Sequence, residues 1–88
     1  MKTIIFVRGT NATQQVRVCE EYARTNELEI VGVAYSEKEL NVFVLSGGVE
    51  CVIVSDAHRI SRRRNEYIET EKIFNKFGVK LIAAGSTL

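Results

Sequence analysis

Cys51-Val52-Ile53-Val54-Ser55-Asp56-Ala57-His58-Arg59-Ile60-Ser61-Arg62 joins a short apolar run to a polar, basic segment. The run lies within Val49–Ser55, the most apolar of the strand-like segments, and follows Ser46-Gly47-Gly48, which ends a helical pattern. Its β-branched content predicts a strand rather than a helix, and its continuity predicts cover on both faces. Such a strand belongs to a parallel sheet packed between helices.

Working outward, the same alternation repeats. Thr3–Val7 and Leu28–Tyr35 predict two earlier strands, the second carrying Ile30, Val31, Val33 and Ala34 in a nearly continuous run expected to be covered on both faces, and Val79–Ala83 a fourth. Between the first two, a helix is predicted over 12–25 with Ala12, Val16, Cys19 and Ala23 facing inward. Asn11 and Gln14 have the spacing of a capping box at its start, and Ser36 and Glu39 have the same spacing before a helix over 37–45 carrying Leu40, Phe43 and Val44. Residues 56–62 read as a loop or first helical turn. A helix then runs to about Phe77, with Tyr67, Ile68, Thr70, Phe74 and Phe77 near one side, and Gly78 stops it. Residues 85–88 are expected to be a tail. The order β-α-β-α-β-α-β predicts right-handed crossovers and an α/β fold of three layers, with a mostly parallel four-stranded sheet between helices.

Length and composition narrow the class. Eighty-eight residues make one domain, and 45% apolar residues exclude a disordered chain. No apolar run approaches the ~20 residues that span a bilayer, and the N-terminal apolar stretch is too short for a signal peptide. A cytoplasmic location without membrane contact is therefore expected. In that compartment Cys19 and Cys51 are expected as reduced core thiols rather than a disulfide. Two cysteines without ligand spacing and one histidine speak against a zinc site, and no other metal or cofactor is expected. The net charge of +1 decides nothing, so any nucleic-acid signal must come from where the charge sits.

Ligands of an open parallel sheet meet the carboxyl ends of its strands. Two polar segments stand there: Arg8-Gly9-Thr10-Asn11-Ala12-Thr13-Gln14-Gln15 and Ser55–Arg64. The strands they follow are normally adjacent, so the segments should face each other. Thr10 at a helix start opposite arginines would suit a phosphate, since backbone N–H groups and guanidinium forks both favour oxyanions. The blander reading makes Thr10 and Asn11 helix caps, His58 a surface loop residue, and Arg59, Arg62, Arg63 and Arg64 a solvated face paired with Glu66 and Glu69. Neither a P-loop nor a dinucleotide fingerprint is present. The residues alone leave both readings open.

Taken together, the two segments resemble the serine recombinase (resolvase/invertase) catalytic domain. Phe6-Val7-Arg8-Gly9-Thr10-Asn11-Ala12-Thr13-Gln14 is similar to the motif Y-A-R-V-S-T-x-x-Q, matching at Arg8 and Gln14, with Thr10 where the family has its nucleophilic serine. Arg59, Ser61 and Arg62 match the later D-R-L-S-R motif, with His58 at the aspartate position and Asp56 two residues earlier. Asn65-Glu66-Tyr67 and Phe77-Gly78-Val79-Lys80-Leu81 follow the same pattern, so the resemblance covers about residues 3–84. It implies a resolvase-like fold and a role related to site-specific DNA recombination. Thr10 would be the nucleophile or its relic, and Arg8, Arg59 and Arg62 the phosphate clamp. Gln14 would support the first loop, and Arg63 and Arg64 would add to DNA phosphate binding.

The departures point to a degenerate domain. Threonine's extra methyl stiffens χ1 and crowds in-line attack. The family's segment after its second strand, with a further arginine, is missing, because Tyr35-Ser36-Glu37 leads straight into a helix. The long helix that builds the recombinase dimer and lies on DNA is expected to be absent, as is a helix-turn-helix domain. The implied partners are DNA, a second copy of the chain or a full-length recombinase. The alternatives are an active strand-transfer enzyme using Thr10, or an unrelated small α/β module that binds phosphate, nucleotide or protein.

Overall fold

The computed structural model describes residues 1–85. It consists of β1 (Lys2–Phe6), α1 (Ala12–Thr25), β2 (Glu29–Ala34), α2 (Glu37–Leu45), β3 (Cys51–Val54), a 3₁₀ turn (Ala57–Arg59), α3 (Arg64–Lys76) and β4 (Lys80–Ala83). The tail expected over 85–88 lies, beyond Gly85, outside the described residues.

The sheet is parallel throughout, in the order β2-β1-β3-β4. In the central pair Thr3 stands opposite Cys51, Ile4 opposite Val52, and Ile5 opposite Ile53. Period-2 alternation then sorts side chains onto two faces. Ile5, Val7 and Ile53 point to α1 and pack with Cys19, Val16 and Tyr22. Ile4, Phe6, Val52 and Val54 point the other way, to Leu40 and Val44 of α2 and Tyr67 and Phe74 of α3. One helix covers one face and two cover the other, giving the three layers expected.

The start of α2 follows the predicted cap: Glu39 N–H donates to Ser36 Oγ at 3.2 Å, and Tyr35 N–H donates to Glu39 Oε1 at 3.4 Å. Gly47 ends that helix with φ 77°, a conformation that costs a residue with a Cβ. Both cysteines are free and buried. Burial pushes the Cys19 thiol up to about 12, with Glu20 adding to the shift, and burial also raises Cys51.

Four local expectations are corrected. The Asn11–Gln14 capping box does not form, because Asn11 adopts left-handed backbone (φ 61°) and its side chain makes no cap bond. The inward stripe of α1 is Gln15, Cys19 and Ala23, while Ala12 and Val16 are only partly covered. β2 is not covered on both faces along its length. It is an edge strand, and a register shift leaves Val31 outside the ladder and 45% exposed. Phe77 lies past the end of α3 and is 53% exposed, because the buried pair Tyr67 and Phe74 already marks the inner face.

Ile53 sits in the central pair with no exposure, so its truncation tests this packing. Ile53→Val is expected to cost about 1 kcal/mol and Ile53→Ala about 3–5 kcal/mol, read from urea denaturation midpoints. Cys19 holds its proton in the fold and titrates near 9.0 when unfolded, so the unfolded chain releases that proton first. Stability should therefore fall as pH rises above 9.0, and less so in Cys19→Ala measured by the same denaturation across pH.

Candidate phosphate site at the carboxyl edge of the sheet

The β1–β3 pairing delivers both polar segments to one edge. Val7 N–H continues the ladder onto Ala34 O at 2.9 Å, and the chain then leaves the sheet at Arg8. Gln15, buried at the first turn of α1, holds this exit. Its Oε1 accepts from Arg8 N–H at 3.1 Å, and its Nε2 donates to Arg8 O at 2.9 Å and to Thr10 O at 2.7 Å. Gln15, not Gln14, therefore supports the first loop, whereas Gln14 is exposed on the next flank of the helix. The signal in the sequence is periodic: Gln15 lies four residues before Cys19 and eight before Ala23, a polar residue on an apolar stripe.

Arg59 crosses from the second segment to the first. Its Nη1 donates to Arg8 O at 3.1 Å, and its side chain is only 27% exposed. Gly9 makes room: with φ 78°, a Cβ there would stand 3.3 Å from Arg59 Nη1. Asp56 orders the start of this segment by accepting from His58 N–H at 2.9 Å, and its Oδ2 lies 3.8 Å from Arg59 Nε. Asp56 thus caps the turn, while His58 is exposed.

The expected clamp is not closed on Thr10. Thr10 is exposed, and its carbonyl, not its hydroxyl, is what Gln15 holds. The Arg8 guanidinium turns towards α2, with Nη1 2.9 Å from Glu37 Oε1 and donating to Ile60 O at 3.3 Å. Arg59 enters from the other side. Arg62 and Arg64 are exposed at the entry to α3, and Arg63 lies 3.6 Å from Glu66. Ser61 shapes that entry: it donates to Glu66 Oε2 at 2.6 Å and accepts from Arg63 N–H at 3.1 Å. Of the residues singled out in the sequence, the structure brings Arg8, Thr10 and Arg59 to one edge and sets Arg62–Arg64 beside it. Exposed pairs such as Arg8–Glu37 are worth less than about 1 kcal/mol, so Arg8 can be drawn off by a competing anion.

A central parallel pair, two polar loops at its carboxyl ends and an arginine tying them together define a class of fold, that of the serine recombinase catalytic domain. Over 99% of this chain and 72% of the other, it superposes with a TM-score of 0.81 and 19% identity on the C-terminal catalytic domain of ISC1926 TnpA, an IS607-like serine recombinase. A resolvase family site-specific recombinase from Streptococcus pneumoniae gives a TM-score of 0.77 at 20% identity, over 96% of this chain and 72% of that one. The N-terminal catalytic domain of TP901-1 integrase gives 0.75 at 15% identity, over 96% and 77%. No family model and no curated protein matches the sequence.

Gln15→Leu leaves Arg8 N–H and Thr10 O without their partner and Arg8 O with Arg59 alone, so a loss of about 2–4 kcal/mol is expected in urea denaturation. Gln14→Leu, on the exposed flank, should change stability by less than about 0.5 kcal/mol.

Proposed function

We propose that this chain is a catalytically degenerate relative of the serine recombinase catalytic domain that binds the DNA backbone through Arg59 and Arg62–Arg64. The observation that carries this reading is Arg59 bridging to Arg8 O at the carboxyl edge of a sheet shared with recombinase domains. Three further arginines stand beside it on the same segment. Phosphate contacts of this kind position a protein on DNA without reading sequence.

Two features support a binding role over strand transfer. Phosphodiester attack needs a nucleophile and cations fixed around the same phosphoryl group. Here Thr10 carries a methyl that narrows its rotamers, and Arg8 is paired with Glu37 rather than turned to the Thr10 hydroxyl. Glu37 opens α2 directly after Ser36, where the resemblance would put a longer loop with another arginine. A carboxylate thus stands in a position that repels the DNA backbone and competes for Arg8.

Fluorescence anisotropy with a short duplex across a salt series tests the reading. Three or four arginine–phosphate contacts predict a log–log slope of about −3. The Arg59→Ala/Arg62→Ala variant should lose most of that binding, and Glu37→Gln should tighten it by about two- to fivefold by releasing Arg8. Salt-insensitive binding, or a double variant indistinguishable from wild type, would remove DNA as the partner. A covalent adduct on nicked DNA that Thr10→Ala abolishes would instead establish strand transfer.

A further inference from the structure

The carboxyl edge has a concavity on the α1 face that, apart from Arg59, the DNA reading leaves unused. It is a pocket of about 240 Å³ bounded by Asn11, Gln14 and Gln15 of the α1 entry, by Ser55 and Arg59, and by Gly85. Thr10, Arg8 and Arg62 do not line it. Gly85 is held there because its N–H donates to Ser55 O at 2.9 Å, which extends the β3–β4 ladder past both strands. A Cβ at Gly85 would come within 3.0 Å of that oxygen, so this wall is built of bare backbone.

Ser55 follows Ile53 by two residues, and strand alternation puts its side chain on the α1 face, the side of the pocket. Ser55 is only 8% exposed, yet its Oγ has no hydrogen-bond partner among the described residues. The buried Nε of Arg59 has none either. Buried polar groups are nearly always paired, so two orphans lining one pocket mark a place where a ligand supplies the missing acceptors. The α1 entry borders the pocket through Asn11 and Gln14. The first-turn N–H groups of a helix have no intrahelical partner, and the Asn11 side chain makes no cap bond.

The charge in this pocket differs from that of the arginine cluster. Asp56 lines it too, with Oδ2 3.8 Å from Arg59 Nε, too far for a hydrogen bond but close enough to offset the guanidinium charge. The pocket is therefore rich in fixed donors without being strongly cationic. That suits one compact oxyanion held by short directional bonds better than a polyanionic strand drawn in by field. We propose that this pocket binds the phosphate of a small phosphate monoester, with Ser55 Oγ, Arg59 Nε and the α1 first-turn N–H groups as donors. The proposal shares Arg59 with the DNA reading but rests on Ser55 and the α1 entry, so the two can fail separately.

Amide and arginine Nε–H NMR shifts of the full chain, titrated with inorganic phosphate, test the proposal. The resonances of residues 11–15, Ser55 and Arg59 Nε–H should move together. Ser55→Ala should weaken phosphate at least about tenfold, Ser55→Thr should keep it, and both should leave salt-dependent duplex binding within about twofold. Arg62→Ala should do the reverse, weakening duplex binding and sparing phosphate. Tighter binding of a 5′-phosphorylated short single strand than of the unphosphorylated strand identifies a nucleic-acid end as the source of the monoester. Equal strand binding alongside phosphate binding identifies a free small ester. Absence of phosphate-induced shifts at these residues, or a Ser55→Ala chain that binds phosphate like wild type, overturns the proposal even if duplex DNA still binds. Loss of duplex binding with phosphate binding intact supports the pocket and overturns only the DNA reading.

Discussion

The pairing of β1 with β3 is the constraint on which the carboxyl edge depends. Thr3 and Cys51, the first residues of the two strands to pair, are 48 residues apart in the chain (51 minus 3), and only the ladder brings the strands' exits together. Once they are paired, Arg8 and Ser55 leave the sheet side by side, and Arg59 can reach the Arg8 carbonyl in one side-chain length. Alternation along the same strands then decides which residues face α1 and which face α2 and α3. The pocket on the α1 face follows from that division.

The arginines of this edge play different parts although they lie close in sequence. Arg59 is largely buried and acts as a strut between loops as well as a donor. Arg8 is exposed and held by a carboxylate, while Arg62 and Arg64 stand in solvent at the entry to α3. A guanidinium whose buried Nε is unpaired among the described residues is set up for directional hydrogen bonding. Exposed guanidiniums contribute field and counterion release instead. On the two readings proposed, a single edge would hold a small oxyanion on one flank and carry a strand of phosphates on the other.

Element order was legible because it rests on local periodicity. The bounds of α1 and α2 read from the sequence coincide with those observed, since Ser36 and Glu39 cap one helix and the apolar spacing outlines the other. The misreadings share a cause. Asn11 has the residue type of a cap, but its left-handed backbone removes it from that role, and Gln15 satisfies the loop instead. Phe77 has the right spacing for the core but lies one residue past the helix. Val31 has the right residue type for a covered strand but falls at a register shift on the sheet edge. In each case a tertiary partner or its absence overrode a local preference.

The sequence by itself determined the α/β alternation, the parallel sheet and the two polar segments at its carboxyl edge, because hydrophobic periodicity and turn chemistry act over a few residues. It also carried the resemblance that Arg8, Arg59 and Arg62 express. Only the tertiary structure decided that Gln15 rather than Gln14 holds the first loop, that Glu37 takes Arg8, and that Ser55 and Arg59 carry buried donors without partners among the described residues, beside the pocket on the α1 face. Those outcomes depend on hydrogen-bond partners and directions set by strand pairing across long stretches of chain, which no local pattern encodes.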